Sequence, residues 1–205
     1  MATAPASLPA APAPPGGARP GALTVATFLV IAAGVMLFGG LLGGYAAARE
    51  AAEDAGRAWP PEDVLLPNVP LAMAYVTLLM SSFTAQWAVS AIKANARTQL
   101  YVAVGLTLLL GGCFINAMTF CWRLLELEAG ADPFATTVYA VTVTHVLVVV
   151  AAHVLFVVLG FRSLGGQFSA RNREFVDCAA AFWHFTVAAG AAIWIAVWFM
   201  EGKPT

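Results

Sequence analysis

Three histidines, His145, His153 and His184, interrupt long apolar stretches of this chain, and Asp177 stands at the start of the last of them. An imidazole in such a setting is a haem or metal ligand, a proton carrier, or a hydrogen-bonding group. His145 and His153 are eight residues apart, about 12 Å along a helix axis and offset by roughly 80°, which is too far to bind one metal together. A haem held between His145 or His153 and His184 requires two facing helices, each giving one axial ligand. The alternative is that each imidazole bonds a backbone carbonyl or neighbouring polar group in a helix interface, which asks for less and takes precedence. Cys113, Cys121 and Cys178 have no paired metal-ligand spacing and read as small apolar packing residues. No Gly-rich phosphate loop and no basic stripe suited to nucleic acid occurs.

The elements that position these side chains follow from composition. Sixty per cent of the 205 residues are hydrophobic and a tenth are charged, which describes a membrane protein. Charged residues leave uncharged runs at 20–48, 64–92, 98–122, 133–161 and 178–200, each above the roughly 18 residues of a spanning helix. No alternation of apolar and polar residues suggests a β-barrel. The reading is an all-α membrane protein, a bundle of five transmembrane helices over residues 22–205, at about 22–48, 69–93, 99–125, 134–162 and 174–200. The first 21 residues, rich in Ala, Pro and Gly, are expected to be a disordered tail, with no cleavable signal and the first helix acting as its own insertion signal.

The first three helices lack Asp, Glu, Lys, Arg or His in their central parts, which argues against a pump or ion-coupled transporter within this chain. Gly39 with Gly43, and Gly40 with Gly44, form GxxxG pairs suited to close helix contact, within the chain or with another subunit. In the second helix Ser81, Ser82 and Thr84 are expected to bond their own backbone, while Gln86 should face protein. Arg19, Lys93, Arg97, Arg162, Arg171 and Arg173 fall on one side, against Arg49, Arg57, Arg123 and Lys203 on the other. This places the N-terminus in the cytoplasm and the C-terminus outside.

Taken in order, several phrases resemble subunit III of the haem–copper respiratory oxidases, in the five-helix form that lacks the first two of seven helices. The first helix ends in "LLGGYAAAR"; Trp59-Pro60-Pro61 follows; "SSFT" lies at Ser81 to Thr84; and Phe161 to Phe185 match a Phe-Arg connection and an "E-x(4)-[FY]WHF" signature. Asp177 stands at that glutamate, and Trp183, His184 and Phe185 at Trp-His-Phe. The resemblance is to a divergent member. The family's first-helix carboxylate falls at Gly34, its "HGLH" keeps His145 but has Val148 at the second histidine, and its usual Asp and Trp after the signature are Val187 and Gly190.

The resemblance implies a non-catalytic accessory subunit with no cofactor of its own, haem and copper being held by partner subunits. It would bind and stabilise catalytic subunit I, in a complex with subunit II, in the inner or plasma membrane of a bacterium. It would also hold phospholipid in a helical cleft, with Arg162 at a position that contacts lipid headgroups, and support oxygen access and sustained proton-coupled turnover. Roles that depend on the missing carboxylate are not implied. His145, Asp177, Trp183, His184 and Phe185 read as structural, with His184 expected to bond toward the fourth helix or Asp177. Two alternatives stand beside this reading: a subunit III-like accessory protein of a nitric-oxide reductase, favoured by the lost carboxylate, and a haem b-binding membrane anchor.

Overall fold

The computed structural model describes residues 21–199. The helices are α1 (Ala22–Asp54), α2 (Asn68–Lys93), α3 (Arg97–Leu125), α4 (Pro133–Leu164) and α5 (Glu174–Ile193), and α5 continues into a π-helical segment, Trp194–Phe199. All five are long and apolar enough to cross a membrane, and no strand occurs among the described residues. The tail expected over residues 1–21 lies, apart from Gly21, outside the described residues, as does the end of the fifth helix at 200.

Local chemistry sets the boundaries. α1 runs past the expected end at 48 because "AAAREAAED" is rich in helix formers and Arg49 bonds Glu53 one turn on at 2.8 Å. α4 starts where Asp132 caps the amide of Ala135 at 2.8 Å and Pro133 takes the first helical position. Between α2 and α3 the chain turns at Asn95, in the left-handed region at φ 53°, and the Asn95 Oδ1 accepts from the Ala170 amide at 2.8 Å. That bond ties the α2–α3 turn to the α4–α5 loop. The last helix departs from the expected regular span: its wider π turns carry Trp198 into the core at 2% exposure.

Helices α2, α3, α4 and α5 pack in a ring, each against two neighbours, and α1 lies outside it against α4 and α5. The fully buried residues of α1 are Phe38, Tyr45 and Ala52, spaced by seven, so α1 meets the bundle along one narrow seam. A Cβ at Gly39, Gly40, Gly43 or Gly44 would stand in open space, so the GxxxG pairs meet no other helix among the described residues.

Two clamps hold α1 where its seam is thin. At its start, the Glu174 carboxylate at the head of α5 accepts from the Thr24 amide at 3.1 Å and from Thr24 Oγ1 at 2.8 Å. These bonds meet donors that the first turn of a helix leaves free. Gly21 leaves room for this carboxylate, which would have to shift to admit a Cβ there. At its far end, Trp59 Nε1 donates to the Tyr45 hydroxyl at 2.9 Å, and the Trp59 ring meets Phe134 of α4 edge-on at 5.2 Å between centroids. Replacing Glu174 with Ala is expected to lower stability by about 1 kcal/mol and to raise amide hydrogen exchange over the first turns of α1, read by thermal unfolding and mass spectrometry.

Candidate functional site

A cluster of polar side chains of the spans meets in the α2–α5 interface. Ser81 Oγ donates to the Leu78 carbonyl and accepts from Trp183 Nε1 at 2.9 Å. Ser82 bonds His184 Nδ1, and His184 Nε2 bonds Gln86 Oε1 at 3.1 Å. With Ser82 donating, Nδ1 is the acceptor and the protonated Nε2 donates to Gln86, a consistent neutral tautomer. Thr84 bonds both the Ser81 carbonyl, at 2.9 Å, and Thr107 of α3, at 2.8 Å. Ser81 and Thr84 bond their own backbone as expected and bridge to α5 and α3 as well, whereas Ser82 bonds His184 instead; Gln86 is exposed but engaged by His184.

The bond expected from His184 toward the fourth helix or Asp177 is corrected. His184 turns to α2, and Asp177 instead pairs with Arg173 one turn back at 3.0 Å. The link between α4 and α5 belongs to His145, whose Nε2 donates to the Thr186 carbonyl at 2.9 Å. Its ring has no exposure and is enclosed by Phe38, Phe114 and Tyr75, at centroid distances of 5.9, 5.6 and 6.2 Å. His153 packs by Trp183 at 6.2 Å and holds a buried Nδ1 with no hydrogen bond. No group of three His, Cys, Asp or Glu placed to hold a metal ion occurs among the described residues.

Glycines make room for these rings. A Cβ at Gly111 would come within 2.6 Å of Trp183 and 3.0 Å of His153 Nδ1, and one at Gly190 within 2.9 Å of the His145 ring and 3.1 Å of Leu78. A Cβ at Gly34 would strike the Phe185 ring. None of the three is a backbone requirement; each is a close approach of a side chain to a helix.

At the end of the bundle that holds the start of α1, the Arg162 guanidinium lies over Phe168 and Phe175, 5.1 and 4.7 Å from the ring centroids. Its Nε donates to Gln167 at 2.8 Å, and it has no carboxylate partner among the described residues. Phe175 also lines an apolar groove of about 220 Å³ between α1, α4 and α5, with Leu23, Val30, Leu155 and Phe182. The groove opens on the outside of the bundle.

Residues 19–201 match the family described as cytochrome c oxidase subunit III. The chain belongs to that family. It is 27% identical over 187 residues to a probable cytochrome c oxidase subunit 3 of Nocardia farcinica, covering 89% of this chain and 90% of the relative. It is 25% identical, over the same shares, to cytochrome c oxidase subunit 3 of Corynebacterium diphtheriae. With the sea urchin Strongylocentrotus purpuratus protein of that name it shares 30% identity over 148 residues, 70% of this chain but 56% of the relative. The chain thus spans little more than half the length of some relatives and nine-tenths of others.

Membership gives the departures from the family pattern a physical reading. Residue 190, where the resemblance leads one to expect Trp, is the glycine against which the His145 ring and the Leu78 methyl pack, so those side chains fill the volume. Gly34, where the resemblance leads one to expect a carboxylate, lies under Phe185. The changes are coupled through packing. Gly190→Ala is expected to destabilise by about 1–3 kcal/mol, because His145 is pinned by three rings and a hydrogen bond and cannot withdraw; thermal unfolding of the purified protein measures this.

Proposed function

We propose that this chain is the non-catalytic accessory subunit III of a respiratory haem–copper terminal oxidase, bound to catalytic subunit I in a complex with subunit II. The observation that carries the reading is the family match over residues 19–201, joined to a core in which Trp183, His184 and His145 hydrogen-bond between helices. Electron transfer and oxygen reduction belong to the partner subunits, with their haem and copper. The chain's contribution is to stabilise subunit I and to support oxygen access and sustained proton-coupled turnover. We place it in the inner or plasma membrane of a bacterium, N-terminus in the cytoplasm, from the bias of Lys and Arg.

The geometry disfavours a haem b anchor. His145 Nε2 and both ring nitrogens of His184 are committed to bonds inside the protein, and His145 is sealed by aromatic rings, so an axial ligand would have to break the interface it holds. The nitric-oxide reductase alternative draws on Gly34, whose replacement of the family carboxylate leaves Phe185 against α1 and no titratable group there.

Phospholipid is the proposed ligand. Arg162, at the membrane-surface end of α4, presents a guanidinium that stacks on two rings yet lacks a carboxylate, which suits a phosphate headgroup; the apolar groove that begins at Phe175 suits an acyl chain. Trp183, Phe185, His145, His184 and Asp177 are assigned structural roles. Arg162→Leu is expected to lower the phospholipid retained by the delipidated complex, read by phosphorus assay, with the fold intact by circular dichroism.

The test of the main reading is a strain lacking this chain. Its membranes are expected to keep the oxidase haem spectrum and initial rate but to lose activity several-fold faster during turnover. Loss of the haem itself, or copurification of the tagged chain with a nitric-oxide reductase in place of oxidase subunits, would overturn it.

A further inference from the structure

Asn116 is out of place. At 100° per residue it stands roughly 170° from the buried line of α3 through Leu100, Thr107, Phe114 and Cys121, so it points directly out of the bundle. It lies about 10 Å below Arg123 along the helix, inside the depth of the hydrocarbon, and its amide makes no hydrogen bond with any described residue. The neighbouring Thr119 satisfies its hydroxyl on the Ile115 carbonyl at 3.0 Å, and Gln86, the other exposed amide at depth, is taken by His184. Lipid tails offer Asn116 nothing, and an unmet polar group in hydrocarbon is costly.

We propose that the outward face of α3, centred on Asn116, is the surface that docks a transmembrane helix of another subunit of the complex, one that carries a hydrogen-bonding side chain at the depth of Asn116. The inference rests on the accessory-subunit reading and names its contact face. Gly112, one turn from Asn116, and Gly105 beyond it have open space where a Cβ would stand, which lets a partner backbone come close. Arg123, exposed on the same stripe seven residues on, decides against a second copy. Two copies in one membrane share orientation, so a two-fold axis along this stripe would bring the two guanidiniums face to face. A different subunit with a carboxylate or carbonyl at that level meets the charge. α1 also exposes glycines, but its outward face carries no amide that demands a protein partner.

The test uses the tagged full chain in its complex, extracted in mild detergent. Asn116→Leu is expected to reduce retention of the oxidase subunits roughly three- to tenfold, while thermal unfolding of the variant chain stays unchanged. Cys113, the exposed thiol of the chain and a near neighbour on this face, is expected to react with a maleimide several-fold more slowly in the complex than in the separated chain. Equal retention by Asn116→Leu together with equal labelling overturns the proposal alone and leaves the accessory role standing. Oxidative cross-linking of two copies through Cys113 overturns it in favour of self-association. If the wild-type chain retains a nitric-oxide reductase instead, and Asn116→Leu weakens that, the oxidase reading falls and the docking face stands.

Discussion

A polar side chain inside hydrocarbon has no water to fall back on, and this fold is arranged around that constraint. Trp183 donates to Ser81, His184 lies between Ser82 and Gln86, Thr84 meets Thr107, and His145 reaches the Thr186 carbonyl. Each bond joins different helices, and together they couple α2 to α3 and α5, and α5 to α4. Lipid tails are as apolar as leucine, so helices gain little from burying apolar surface against one another. Directed hydrogen bonds and close glycine contacts supply the specificity that the hydrophobic effect supplies in water. The same constraint makes Asn116 conspicuous, since its exposed amide has no hydrogen-bond partner among the described residues.

Glycine and aromatic rings work as pairs within this scheme. Gly111 receives the edge of Trp183, Gly190 the ring of His145, and Gly34 the ring of Phe185. Each pair replaces two medium side chains with one large and one absent, which lets helices approach while the interior stays filled. A substitution at one member is therefore felt at the other.

The five spans were plain in the sequence because charges punctuate it at the right intervals, and the Trp-His-Phe phrase was plain because it is local. The partner of His184 was hidden. Spacing along α5 limits which residues share a face, but it carries no information on which neighbour that face meets, and α2 lies 102 residues away in the chain. Adjacent hydroxyls at Ser81 and Ser82 opposite adjacent donors at Trp183 and His184 were the available signal, legible only once the helices were placed. The outward direction of Asn116 was hidden for the same reason, as was the capping of α1 by Glu174. Ordinary helix caps are found within a few residues of the helix start, and this one comes from a different helix.

That distant cap orders events in time. The residues that fix the start of α1, Thr24 and Glu174, are 150 positions apart, so at roughly 5–20 residues per second of synthesis they are separated by on the order of 10–30 s. Until then α1 has neither its cap nor the half of its seam that α5 provides. The earliest made of the five described helices is thus among the last to find its place.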